Sequence, residues 1–406
     1  MPLKKLLFLT PQLPYPPHQG TAIRNYNLIK ELSARYEVHL LSLAEDPSAE
    51  DIDHLRQLCR SVQTVPAPRR TLAQRALSTL TSKLPDMGLR LESPAFHNHL
   101  IAVLAATDFD VVQVEGIEMA PYIQDVLARN PRPLVVLDDH NAEYVLQRRA
   151  FETDIRQPAR WLAAAYSLIQ WRKLRRYERE ACLRADRVVA VSEADAEALA
   201  ALLGDREIAV VPNGVDAVYW QPPEVFVPLP RAPAVVFTGK MDFRPNVDAM
   251  LWFHSQVFPL IQQRAGMPVH LYVVGKDPHP RLAPLVADPH VALTGYVPDV
   301  RPYTSGADVY IVPLRIGGGT RLKVLEAMAM GKALVSTTLG CEGINLTHGR
   351  EALLADSPSD FADAVVSLLR DETRCRELGQ RAREYATSLY DWRRIAPLLE
   401  KVYDRS

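Results

Sequence analysis

"LRIGGGTRLKVLEAMAMGKALVST", residues 314–337, reads as a strand end, a turn of three glycines, a helix and a second strand. Leu314 closes the first strand, Thr320 to Met330 has helical spacing, and 333–338 ("ALVSTT") is a short strand. A strand feeding a helix that leads to another strand is the repeating unit of parallel α/β sheets. Gly317, Gly318 and Gly319 then occupy a strand-to-helix turn, at the strand end where such folds hold ligands. Helix N-termini present unpaired N–H groups and partial positive charge, and glycine lets an anion approach the backbone closely. Arg321 and Lys323 load further positive charge onto that end, an unfavourable choice for an isolated helix that makes sense beneath a diphosphate. Glu326, three residues on, is placed to take two vicinal ribose hydroxyls. The plain alternative is a tight turn with solvated charges; glycines combined with Arg, Lys and Glu favour the anion site.

The same rhythm extends in both directions. Apolar runs at 234–240, 270–276, 290–297 and 308–314 precede or follow helical segments, and a matching set lies at 5–10, 37–44, 109–116, 133–140, 187–192 and 207–213. Their continuous apolar character fits strands covered on both faces. At 406 residues the chain exceeds what one core sustains. The expectation is two doubly wound, Rossmann-like parallel-sheet domains facing a cleft: 1–216, then a proline-rich linker at 217–233, then 234–385, with a C-terminal helix at 386–406 crossing back to the first domain.

Composition narrows the function. A formal net charge of −1 gives no global attraction to nucleic acid, and none is expected as a partner. Cys59, Cys182, Cys341 and Cys375 are scattered without CxxC or metal-ligand spacing, which fits reduced thiols in a cytoplasmic protein. The apolar run after Lys4 and Lys5 is too short for a signal peptide and reads as a first strand. No run approaches a membrane span, so any membrane role is peripheral.

Three stretches, "VVPNGVD" (210–216), "LTGYVPDVRPYTSGADVYIVPL" (293–314) and "GGGTRLKVLEAMAMGKALVST" (317–337), together resemble the retaining GT-B-fold glycosyltransferases of family 4. "PQLPYPPHQGTAIRNYNLIKELS" (11–33) and "FTGKMDFRPNVDAMLWF" (237–253) look more specifically like the sugar transferases of exopolysaccharide and PEP-CTERM systems. The resemblance implies a nucleotide-sugar donor on the second domain, an acceptor on the first, and transfer with retention. Glu326 matches the second of the family's paired glutamates; Gly318 stands where the first is usual, leaving backbone N–H groups of Gly318, Gly319 and Thr320 to replace that contact. Lys240 matches a family arginine facing the diphosphate, while the second basic position falls on Pro245 beside Arg244.

In the first domain Gly20 sits before a helix starting near Thr21, and the resemblance sets that loop against donor phosphates or acceptor. Arg24 and Asn25, on its first turn, either point into the site or are plain surface residues. "VLDDHNAEY" (136–144) ends a buried strand in Asp138, Asp139 and His140; His140 matches a family histidine at the donor sugar or acceptor pocket. Glu115 ends the neighbouring strand as an acceptor-side candidate or a turn carboxylate. Residues 151–184 place Arg172, Lys173, Arg175, Arg176 and Arg179 after Trp161 and Trp171, which fits either peripheral contact with an anionic membrane or a solvated helix with its aromatics in the core. Residues 71–91 form a weaker basic amphipathic candidate.

The expected activity is therefore metal-independent transfer of a sugar to a glycan or lipid-linked acceptor, in exopolysaccharide or cell-surface glycan synthesis at the inner face of the membrane. His140, Lys240, Arg321 and Lys323 are the catalytic candidates, and no cofactor is expected beyond the donor itself. The alternatives are a non-catalytic nucleotide-sugar-binding scaffold and a same-fold epimerase or hydrolase.

Overall fold

The computed structural model describes residues 3–224 and 229–404. It divides into two units: Met1–Pro212 with Ile395–Ser406, and Asn213–Arg394.

Among the described residues the first unit has seven strands: β1 Lys4–Thr10, β2 Tyr36–Ala44, β3 Ser61–Pro66, β4 Val111–Glu115, β5 Leu134–Asp138, β6 Arg187–Ala190 and β7 Ala209–Val210. They form one parallel sheet in the order β3-β2-β1-β4-β5-β6-β7. The second unit has six, β8 Ala234–Thr238, β9 His270–Val274, β10 Val291–Gly295, β11 Val309–Val312, β12 Leu334–Ser336 and β13 Leu353–Leu354, parallel in the order β10-β9-β8-β11-β12-β13. Both sheets reverse winding direction once, between β1 and β4 and between β8 and β11. That is the switch point where doubly wound sheets open a crevice at their carboxyl ends. Central strands are buried throughout, as in β4, β5 and β8, because helices cover both faces.

Two strands escape the apolar pattern for physical reasons. β3 is an edge strand whose residues are mostly half-buried, and β13 is two residues long. Several runs are also longer than the strands they contain: 234–240 stops at Thr238 because Gly239 turns the chain at φ 151°.

The domain boundaries differ from the sequence reading. The chain changes unit at Pro212/Asn213 rather than after 216, and returns at Ile395 rather than 386. Residues up to Leu389 still belong to a helix of the second unit, Glu372–Leu389. Val215 N–H donates to Tyr390 O at 2.7 Å and Val215 O accepts from Trp392 N–H at 3.3 Å, so the outgoing and returning passages are stitched together within the second unit. The proline-rich 217–233 stretch is likewise part of that unit where it is described. Trp220 and Leu229 pack on its core, and the Arg301 guanidinium lies 3.9 Å from the Tyr219 ring centre. Its residues 225–228 lie outside the described residues. The final helix, Trp392–Tyr403, returns to the first unit as expected. Arg35 pairs with Glu400 at 2.7 Å, and the Tyr36 and Tyr403 rings meet edge to face at 5.7 Å.

One close approach fixes the second sheet's carboxyl edge. A Cβ on Gly275 would stand 1.7 Å from Gly239 O, so the turns after β8 and β9 fit only as glycines. Gly275→Ala is expected to cost ~3 kcal/mol or more through overpacking, whereas Gly20→Ala, with open space around it, stays within about 0.5 kcal/mol. Urea unfolding of the two variants checks this.

Candidate active site

In the second unit the carboxyl ends of β8, β9 and β11 are neighbours. Lys323, on the helix Leu322–Ala329, reaches back to them. Its Nζ donates to Thr238 O at 2.7 Å and Asn246 Oδ1 at 3.1 Å, and lies 4.1 Å from the Phe237 ring centre. A Cβ at Gly239 would stand 2.6 Å from that nitrogen, so the glycine is what admits the lysine. Asn246 in turn donates to Lys240 O at 2.9 Å, tying the turn after β8 to the helix Arg244–Trp252. Burial, reinforced by Arg321 and opposed by Glu326, brings the Lys323 ammonium down to about 7. Burial likewise pushes Glu326 up to about 7 against the attraction of Lys323.

The glycine turn is left-handed at Gly317 (φ 110°) and Gly319 (φ 80°), conformations that side chains resist. Arg321 folds back across it: Nη1 donates to Gly318 O at 2.8 Å, and a Cβ on Gly317 would stand 2.8 Å from Nη2. Arg321 takes the N-cap position of the helix and no acid occupies the first turn, so nothing there offsets the positive end. The Thr320 hydroxyl is buried without a partner among the described residues. Arg315 holds Asp248 at 3.0 Å, anchoring the loop to the helix Arg244–Trp252. Lys240 differs from its neighbours: its ammonium is half-exposed, 3.1 Å from Asp242, and only its carbonyl joins the cluster.

The first unit gathers charge at the same edge of its own sheet. Glu115 and Asp138 end β4 and β5 fully buried. Arg24, from the helix Gly20–Leu32, donates through Nε and Nη2 to Asp138 Oδ2 at 2.9 and 2.6 Å, and through Nη1 to Pro212 O at 3.0 Å. Of its two sequence readings, the plain surface residue is therefore excluded. His140 Nε2 lies 2.8 Å from Glu115 Oε2, and Gln113 donates to Glu115 Oε1 at 3.0 Å. Burial opposes charge on His140, yet Glu115 and Asp138 outweigh it and hold its pKa above the ordinary value. Burial and Asp138 raise Glu115. His140 sits at φ 49°, a left-handed conformation that costs ~1–3 kcal/mol and clusters at functional sites. Asn25 is fully buried and neither polar atom has a partner among the described residues; Thr10 Oγ1, at the end of β1, is also unpartnered. Gly20 is the exposed first residue of its helix.

Glu115, Asp138 and His140 offer ligand atoms within 4.8 Å of one another. Arg24 on Asp138 Oδ2, Gln113 on Glu115 Oε1 and the imidazole on Glu115 Oε2 already engage this group, with Arg24 as its fixed cation. Of two Asp-x-Asp spacings, 51–53 and 108–110, the second serves the scaffold: Asp110 accepts Lys5 N–H at 2.8 Å, at the amino end of the sheet. Asp139 contacts Cys182 at 3.7 Å, and Glu178 caps the helix Glu143–Asp154 by accepting two backbone N–H groups at 2.8 and 2.9 Å.

The basic run in 151–184 splits in two. Trp171 packs on the core, Lys173 donates to Thr79 O and Ser82 O, Arg176 pairs with Glu180 and Arg179 donates to Leu202 O. Trp161, at the start of the helix Trp161–Arg184, stays exposed. Sequence reasoning missed Thr238, Gly239, Asn246 and Gly275, the set that holds Lys323. The available signal was the repeated Gly-Lys ending of two strands, "FTGK" and "VVGK".

Two doubly wound parallel units, with a last helix returning to the first, define the GT-B class of proteins. Residues 18–219 match the family described as Glycosyltransferase Family 4 and residues 232–371 match Glycosyl transferases group 1, and the chain belongs to these glycosyltransferases. It is 22% identical over 169 residues to a 44.6 kDa protein in the cps region of Klebsiella pneumoniae, covering 40% of this chain and 43% of that one. The alpha-maltose-1-phosphate synthase of Mycolicibacterium smegmatis is 26% identical, covering 65% and 73%. A GDP-mannose-dependent alpha-(1-6)-phosphatidylinositol monomannoside mannosyltransferase of Mycobacterium tuberculosis is 28% identical, covering 42% and 47%. Two of these three matches thus span under half of the relative. Among solved structures, the sucrose-phosphate synthase of Thermosynechococcus elongatus superposes with a TM-score of 0.70 at 18% identity, covering 98% of both chains. HepE of Anabaena in complex with UDP gives 0.66 at 15% identity, covering 98% and 99%.

Arg24→Met strands Asp138 as a buried charge and is expected to cost ~3–5 kcal/mol. Arg24→Met combined with Asp138→Asn recovers most of that loss. Denaturant midpoints of the single and double variants test the pair.

Proposed function

We propose that the protein transfers a sugar from a nucleotide-diphosphate donor to a glycan or lipid-linked acceptor, with retention and without a metal. The observation that carries this reading is the glycine turn at a helix N-terminus bearing Arg321 and Lys323 and no first-turn acid. A departing diphosphate gathers negative charge as the acceptor hydroxyl closes on the anomeric carbon. Fixed N–H dipoles and cations answer that need, each donor contributing ~2.7–4 kcal/mol to the transition state. Gly317, Gly318, Gly319 and Thr320 supply the backbone, Arg321, Lys323 and Lys240 the charge, and Glu326 takes the ribose. On the first unit His140, held by Glu115, with Arg24 on Asp138 and Asn25 beside it in sequence, is the candidate acceptor-side group. The leaving phosphate takes the acceptor proton. Metal independence is supported by Arg24, a fixed cation already bound to Asp138 in the Glu115 group.

Exopolysaccharide or cell-surface glycan synthesis is supported by the cps-region relative, and a lipid-linked acceptor by the phosphatidylinositol monomannoside mannosyltransferase. Both fit work in the cytoplasm at the inner face of the membrane. No described helix is long and apolar enough to cross a membrane, so contact there would be peripheral, as read for 151–184.

Thermal melting against UDP, GDP, ADP, TDP and their sugars is the direct test, since ligand binding raises the native state's melting temperature by mass action. A selective rise with one diphosphate is expected, and Glu326→Ala is expected to reduce it. Absence of any rise would overturn the donor-site reading, for the enzyme and for a nucleotide-sugar-binding scaffold alike.

Once a donor and acceptor pair is found, Arg321→Ala is expected to lower kcat by roughly a hundredfold or more while changing donor affinity less. Unchanged turnover would remove Arg321 from the leaving-group site.

A further inference from the structure

We propose that one face of the first unit, built from residues 69–84 and 155–172, docks on an anionic lipid bilayer. This deepens the lipid-linked acceptor reading by naming a surface, and its test does not depend on turnover.

The helix Leu72–Thr81 is amphipathic in the wrong sense for a globular protein. Its polar side turns inward: Arg75 meets Asp86 at 3.0 Å, Ser78 accepts from Arg70 at 2.6 Å, and Thr79 accepts from Gln170 at 3.2 Å. Its apolar side turns out, with Leu72, Leu77 and Leu80 exposed by 79%, 63% and 80%, and no residue of the helix is buried. A helix packed on a core does the opposite. The helix is nonetheless well built, because Thr71 and Gln74 close a full capping box at its start.

Lys173 donates to Thr79 O and Ser82 O, fastening this helix beside Trp161–Arg184. That second helix begins with Trp161 and Leu162, exposed by 61% and 91%, preceded by exposed Ile155. Leu84 extends the first group. Exposed apolar side chains gathered on two adjoining helices mark an interaction surface.

Charge selects the occupant. Residues 69–90 hold five basic side chains against one acid, Asp86, which is held between Arg70 and Arg75. Residues 155–179 hold seven against Glu178, which is buried as a helix cap. Arg69, Lys83, Arg156, Arg172 and Arg175 are exposed. Both stretches are strongly cationic in a chain of net charge −1. Two copies meeting through this face would bring like charges together. An apolar stripe with an exposed tryptophan and a basic rim is instead the composition of a helix lying at a bilayer surface.

Co-sedimentation of the full chain with vesicles of equal phosphatidylcholine and phosphatidylglycerol, against vesicles of phosphatidylcholine alone, tests the proposal. Binding to the anionic vesicles only is expected, weakening with salt. Leu77→Glu with Leu80→Glu, and separately Lys83→Glu with Arg172→Glu, each reduce it about tenfold or more. These positions are on the surface, so melting temperatures and any nucleotide-induced rise remain as in the parent chain. No vesicle binding, equal binding to both vesicle types, or binding indifferent to either variant overturns the proposal. So does a parent chain that sediments as a dimer and becomes a monomer on Leu77→Glu with Leu80→Glu, which would assign the face to a second copy.

Discussion

The Arg24 guanidinium against the Asp138 carboxylate is the contact on which the first unit's edge depends. Asp138 ends a central strand with no exposure to water, beside Glu115, which is equally buried. Two carboxylates there repel each other unless a cation is fixed among them. Arg24 supplies it from the first helix, and its Nη1 donates to Pro212 O, tying the same guanidinium to the chain just before it leaves the unit. His140 then meets Glu115 as the second partner, in a left-handed conformation that only a surrounding network can hold. The result is a preset group of donors and acceptors, next in sequence to a buried Asn25 that has no partner among the described residues.

The second unit solves the inverse problem. At its strand ends the enclosed charge is a half-buried lysine, and what surrounds Lys323 is a carbonyl, an amide oxygen and an aromatic face. Those neighbours stabilise an ammonium only partly, which is why burial lowers its pKa to about 7. Such a site is cheap to complete with an anion, because the incoming charge answers a deficit that the fold leaves open. Glu326, raised to about 7 one turn along the same helix, does not fill that deficit by itself.

The parallel alternation was legible because strands covered on both faces have few polar residues, and the glycine turn was legible because three adjacent glycines have no better use. Edge strand β3 was hidden, since a half-covered strand need not be apolar. The Pro-rich 217–233 stretch looked like a linker for its composition, yet Trp220 and Leu229 find a core to pack on, which composition does not record. Arg24 and Asn25 sat evenly between site and surface, because only the paired strand ends 114 residues away decide it for Arg24. The outward leucines of Leu72–Thr81 were also invisible, as periodicity gives a helix a stripe without saying which way it faces.

Gly318 carries the remaining consequence. Where related transferases place a carboxylate, this chain places a glycine whose carbonyl is already engaged by Arg321. A carboxylate accepts hydrogen bonds from sugar hydroxyls; a backbone N–H donates to sugar oxygens. On the proposed reading the replacement therefore reverses the polarity of that contact and also removes a negative charge beside two cations. The first change favours a donor sugar presenting an acceptor, such as a carbonyl or carboxylate oxygen, toward the turn. The second leaves no carboxylate on the turn beside Arg321 and Lys323, so the same substitution that alters sugar choice strengthens the anion site it borders.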